Sequence, residues 1–264
     1  MALLNYEYRM NILYSEPVNK CCFTIKAVPG DDFRQKNIHS DIKISPVSGY
    51  TEGKDSFGNI QITGKTEQPH TEFDFLIKGL AETNSIGFTE KVNPGKVGMY
   101  KYPHGKCVPG KEILRFAGEL RNKVEACAGD KEKCLLIMNH IYERMVYEAG
   151  STHAGTDAEE AFHKGRGVCQ DYAHIYITLL RIFGIPARYV CGLLAGEGES
   201  HAWVEAACEG FFVGFDPTHN CEITEEYIRF GTGRDAYDCA INRGIMWGGG
   251  IQIQKVTSRV YCLE

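Results

Sequence analysis

Gly165-Arg166-Gly167-Val168-Cys169-Gln170-Asp171-Tyr172-Ala173-His174 is the stretch on which the reading of this chain turns. A glycine-rich approach delivers a thiol to the start of an apolar helical run: Ile175, Tyr176, Leu179, Leu180, Ile182 and Phe183. A cysteine at a helix N-terminus sits among unpaired backbone N–H groups, at the positive end of the helix dipole. Both favour the thiolate, which is the nucleophilic form. Downstream stand the two partners that such a thiolate needs. They are His201 in Ser200-His201-Ala202-Trp203-Val204 and Asp216 in Gly214-Phe215-Asp216-Pro217-Thr218.

A turn at Glu209-Gly210 lies midway between His201 and Asp216. Folding this segment as an antiparallel hairpin brings the two positions roughly opposite each other. The carboxylate can then accept from one imidazole nitrogen while the other nitrogen faces the thiol, which is the nucleophile–base–orienter arrangement of covalent catalysis. Taken singly, a buried cysteine and a strand histidine are ordinary structural residues. Cys, His and Asp in this order, on helix, strand and strand, favour the chemical reading.

Bulk properties bound the alternatives. The chain has 264 residues, room for one large domain or two modest ones. At 43% hydrophobic and 24% charged it has an ordinary globular composition. The net charge of -5 and the lack of a basic block argue against a nucleic-acid partner. No apolar run approaches the ~20 residues of a membrane span. Met1-Ala2-Leu3-Leu4-Asn5-Tyr6-Glu7 lacks the basic and apolar regions of a secretory signal and reads as a first strand. The 11 scattered cysteines are expected to be reduced thiols of a cytoplasmic protein, with Cys134, Cys191 and Cys208 as apolar fillers. Adjacent Cys21 and Cys22 should point to opposite faces of a strand. No Cys-x-x-Cys, zinc-type spacing or EF-hand loop occurs, so neither a metal nor a cofactor is expected.

The composition changes near residue 105. Upstream, Tyr6–Tyr14, Cys22–Val28, Ile42–Ile44, Gly58–Thr63 and Thr71–Ile77 read as short strands between turn clusters, with carboxylates and lysines on solvated faces. They predict an antiparallel β-sandwich over residues 1–100. A Gly/Pro/Lys-rich linker follows at 92–110. Two helices are predicted from Ile113, Leu114, Ala117, Leu120 and Val124, and from Leu135, Met138, Ile141, Tyr142 and Met145 after an Asp130 N-cap. A short third helix should open at Thr156 in capping-box form. The Cys169 helix stops at Gly184-Ile185-Pro186, and strands at 187–194, 202–206, 210–216 and 251–263 complete the chain. Helices followed by antiparallel strands make an α+β fold, with residues 105–264 as a second unit.

The same motifs resemble the transglutaminase-like superfamily of papain-fold cysteine enzymes, and specifically its bacterial members with an N-terminal β-rich region. Gly167–His174 is similar to the family's nucleophile motif and Gly184–Val190 to the link that follows it. His201–Glu205 and Gly214–Thr218 are similar to its histidine and aspartate motifs. Gly233–Asp238 continues the likeness, with Ala236 interrupting the usual Asp-Tyr pair. Gly244–Gly250 is similar to the turn before the final strand, and Phe57-Gly58-Asn59 to a landmark of the N-terminal region.

The resemblance implies a papain-like core, with Cys169 as nucleophile, His201 as base and then acid, and Asp216 orienting His201. It implies an acyl-transfer enzyme acting on a peptide or protein substrate through a thioester. Water as acceptor gives a peptidase or amidase, the favoured reading. An amine acceptor gives a transamidase, and a non-catalytic binding module on the same fold is the remaining alternative. The Cys169 N–H should help bind the oxyanion. Tyr147, Gln170 and Trp203 are secondary candidates for oxyanion or substrate contacts, Trp203 because it lies on the face of His201. Asp171 is expected to cap its own helix and His174 to be a packed histidine. His219 and Asn220 are candidates for the cleft, and Arg234 and Asp235 for an ion pair.

Overall fold

The computed structural model describes residues 1–263. The fold is α+β, with two curled antiparallel sheets and few helices. In the first sheet, four long stretches of chain lie side by side in the order 242–263, 2–25, 60–83, 35–54. The runs predicted at Tyr6–Tyr14 and Cys22–Val28 belong to one strand, Ala2–Ile25, with a register shift between Leu13 and Val18. Its neighbours break at the same level. Gln35–Ser45 gives way to Gly49–Lys54, Ile60–Thr66 to His70–Thr83, and Asn242–Gly248 to Gln252–Leu263.

The breaks have a local chemical cause. Pro17, Pro46 and Pro69 cannot donate to a ladder. Gly248, Gly249 and Gly250 take φ of 94°, 99° and 59°, which side chains resist. The Gly244–Gly250 stretch expected to be a turn is therefore mostly strand, and only its last three glycines bend. The shift also resets the pleat. Leu4, Tyr6, Tyr8, Met10 and Ile12 are buried before it, and Cys21, Phe23 and Ile25 after it. Apolar residues thus keep facing the core as the sheet bends. Cys21 is buried and Cys22 exposed, on opposite faces.

The second sheet runs 221–222, 211–216, 201–208, 187–194, 227–233, with Glu90–Lys91 added beside Phe211–Phe212. Four helices accompany it: α1 (Lys111–Glu125), α2 (Asp130–Arg144), α3 (Ala158–Lys164) and α4 (Cys169–Ile182). Helix α4 is buried nearly throughout, packed against Ala202, Val204 and Ala206 of the central strand. Two caps differ from expectation. Asp157, not Thr156, caps α3, its Oδ1 accepting from Glu160 N–H, while Thr156 Oγ1 accepts from His153 N–H. Gly129 precedes α2, with Asp130 inside the first turn. Leu114, Leu135 and Tyr142 fit the helical period yet face solvent.

The two sheets share a core in which Tyr8 meets Phe230 edge-on at 5.8 Å. Beside it runs a buried ionic cluster that the sequence reading missed. Arg188 binds Glu205 Oε2 through Nε at 2.7 Å and Glu90 through Nη1 at 2.8 Å. Arg229 binds Asp32 at 2.9 Å and Glu90 at 3.1 Å. Asp32 and Asp55, the latter paired with Lys26 at 2.7 Å, are therefore not solvated strand-face carboxylates. Removing one member of a buried pair strands the other's charge. Arg188→Ala should cost about 3 kcal/mol or more by urea unfolding, and an undiminished midpoint would show that Glu205 is satisfied without it.

Candidate functional site

Helix α4 opens at Cys169 for a reason visible in the chain. Gly165 ends α3 at φ 65°, and Arg166–Gly167 runs parallel to Val146–Tyr147. Asp171 then anchors the first turn of α4, its Oδ2 accepting from Val168 N–H at 2.8 Å and from Thr152 Oγ1 at 2.6 Å. Cys169 emerges half-buried at the floor of a cleft of about 650 Å³. Tyr147, Gln170 and His201 line the same cleft.

His201 is the first residue of its strand. The ladder sets Val204 against Phe215, so Asp216 falls opposite Trp203 and reaches His201 on the diagonal. His201 Nε2 lies 2.7 Å from Asp216 Oδ2. That leaves Nδ1 outside this bond, and Cys169 and His201 line the same cleft. Asp216 is wholly buried and densely solvated by the protein. Its Oδ1 accepts from Thr218 N–H at 2.8 Å and His219 N–H at 3.3 Å. Its Oδ2 also accepts from Tyr227 OH at 2.9 Å and pairs with His219 Nδ1 at 2.7 Å. Burial would raise the Asp216 pKa, but these donors outweigh it and hold the carboxyl well below its usual range. Burial would likewise lower the His201 pKa. Its bond to Asp216, with the Cys169 thiol nearby, prevails and pushes it up to about 10.

Trp203 does not reach the cleft. It lies buried beneath His201, the rings stacked at 6.4 Å and 27°. Tyr147 is more than half exposed on the cleft wall. His174 is sealed in the core, its Nε2 accepting from Ala236 N–H at 3.1 Å, and burial lowers its pKa to about 4. Asn220 points to Asn139 rather than into the cleft. Arg234 pairs with Asp238 at 2.7 Å, not with Asp235, which instead accepts backbone N–H groups of Lys106 and Tyr237. Tyr227 and the bond from His219 to Asp216 were not anticipated. The one available signal was His219 sitting three residues after Asp216, within reach of a tight turn.

His201, Asp216 and His219 also form the one set among the described residues whose donor atoms, all within 4.8 Å of one another, could hold a cation. Both imidazoles already bond the carboxylate at 2.7 Å, so a cation there would have to displace both protons.

Residues 118–217 match the transglutaminase-like superfamily core, and residues 4–82 match the bacterial transglutaminase-like N-terminal region. The chain belongs to the transglutaminase-like superfamily, in the form that carries the bacterial N-terminal region. An uncharacterized protein of Mycobacterium leprae is 28% identical over 90% of this chain and 91% of its own length. One from Mycobacterium tuberculosis is 26% identical over 91% of this chain and 86% of its own. A crystal structure of a proposed cysteine protease from Cytophaga hutchinsonii superposes with a TM-score of 0.79 at 21% identity, covering 100% of this chain and 92% of that one.

The raised imidazole is directly measurable. Its contribution to stability is complete below the ordinary histidine value of 6.5 and is lost as pH rises through about 10. By NMR the His201 ring should titrate near pH 10, fall toward 6.5 in Asp216→Asn, and fall by less in Cys169→Ala. An Asp216→Asn titration unchanged from wild type would contradict the assigned bond.

Proposed function

We propose that the protein is a cysteine-nucleophile acyl-transfer enzyme acting on amide or peptide bonds, with water as the favoured acceptor. The observation that carries this reading is the His201–Asp216 bond at 2.7 Å on the wall of the cleft into which Cys169 opens. The imidazole takes the thiol proton, and the resulting imidazolium is stabilised by a buried carboxylate that stays ionised. The Cys169 thiolate adds to the amide carbonyl carbon. Negative charge gathers on the carbonyl oxygen, where the unpaired N–H groups of the first turn of α4 can receive it. His201 then gives its proton to the leaving nitrogen, the C–N bond breaks, and an acyl thioester remains on Cys169. Water, deprotonated by His201, releases the acid and restores the thiol. Trp203, stacked on His201, keeps water off that side of the ring. The fold shared with the proposed protease from Cytophaga hutchinsonii supports a peptide or protein substrate.

Cys169→Ala should lower turnover of a susceptible peptide amide about 10⁴-fold or more while leaving the folded circular-dichroism spectrum unchanged. Iodoacetamide should label Cys169 faster than the exposed Cys22 and Cys262 in peptide mass mapping, and His201→Ala should remove that advantage. Full turnover in Cys169→Ala would refute the assignment. Adding a primary amine during turnover separates the acceptors, because amide product in preference to acid would make the enzyme a transamidase.

A further inference from the structure

An edge of the first sheet, built from the C-terminal half of the chain, reaches the cleft. After Leu194 the chain leaves the second sheet, and Gly196–Gly198 pairs with Ser258–Val260 at the edge of the first. Ala195 N–H bonds Glu226 O at 2.9 Å, and Ser258 Oγ donates to Glu199 O at 2.8 Å. The backbone from Ala195 to Glu199 is thus pinned at both ends, immediately before His201. It forms one wall of the cleft and carries Glu197 and Glu199. Glu197 is countered by Arg259 at 3.3 Å. Glu199 has no ion-pair partner among the described residues, and the one basic side chain lining the cleft, His201, has its charge countered by Asp216. Tyr147 lines the same cleft. Burial, with Cys169 and Glu199 near it, pushes its phenol pKa up.

We infer that Glu199 makes this wall anionic and, with the ring of Tyr147, selects substrates that carry a lysine or arginine side chain beside the reacting amide. The inference rests on the function proposed above, since it concerns what enters the same cleft. A carboxylate and a phenol face lining one pocket are the two groups that recognise an ammonium or guanidinium ion. A charge lining a cleft also raises the local concentration of opposite charge. The first sheet then has a direct part in recognition, because its C-terminal strand fixes the backbone on which Glu199 stands.

The test uses three methanethiosulfonates on the full chain. They are an ethylammonium (cationic), an ethylsulfonate (anionic) and a methyl (neutral) reagent, with Cys169 modification followed by peptide mass mapping. Each charged rate is divided by the neutral rate in the same variant. The cation-to-anion ratio at Cys169 should exceed that at exposed Cys262 roughly fivefold or more at low salt. It should fall as salt is raised, and collapse in Glu199→Gln. Glu197→Gln, whose charge is already countered, should change it less. A ratio no larger than at Cys262, or one unmoved by Glu199→Gln, overturns the inference while leaving the nucleophile intact. If the neutral reagent labels Cys169 no faster than Cys262, the nucleophile reading fails instead, and the charge ratio is still read. A Cys169 closed to the neutral reagent would overturn both.

Discussion

Charge buried against the second sheet is the constraint on which this structure depends. Arg188, Glu205, Arg229 and Asp32 come from four separate parts of the chain and meet where little water can reach, with the partly exposed Glu90 closing the cluster. Buried ions are tolerable only with partners at hydrogen-bond distance. Glu90 belongs to the short strand added to the second sheet and Asp32 to the loop before Gln35, whereas Arg188, Glu205 and Arg229 belong to three neighbouring strands of the second sheet. Moving the loop that carries Asp32 would take from Arg229 its ion-pair partner outside the second sheet. The apolar core beside them, with Tyr8 against Phe230, adds burial but little directional preference. The ions supply the direction.

The same strands carry the site. Glu205 and His201 stand on one face of the same strand, with Trp203 between them, while Ala202, Val204 and Ala206 face α4. A strand held in register at Glu205 therefore holds His201 in register as well. Asp216 follows the same logic at smaller scale. A fully buried carboxylate with three side-chain partners and two backbone donors is fixed in position, and its charge is retained because every lone pair is used. The imidazole beside it inherits both its orientation and its affinity for a proton.

Much of this was legible in the chain. The glycines before Cys169, the buried run after it and the strands carrying His201 and Asp216 are local signals, and each element formed where its pattern lies. The first sheet was readable strand by strand but not as a whole. Tyr6–Tyr14 and Cys22–Val28 look like two strands because Pro17 and a pleat reset lie between them. Their unity depends on Gln252–Leu263 and Asn242–Gly248 pairing along the full length of Ala2–Ile25. Leu114, Leu135 and Tyr142 fit the helical period but have no partner element to cover them. Periodicity names a face without saying what will pack on it.

The sequence by itself determined the identity of the chemical groups, the element that bears each, and the family to which the chain belongs, because these follow from local pattern and spacing. Only the tertiary structure decided which charges are buried together, that Tyr227 and His219 share the carboxylate of Asp216, and that a strand of the first sheet pins the wall carrying Glu199. Those contacts join residues far apart in the chain. Their formation depends on how the two sheets meet, which no local window of sequence contains.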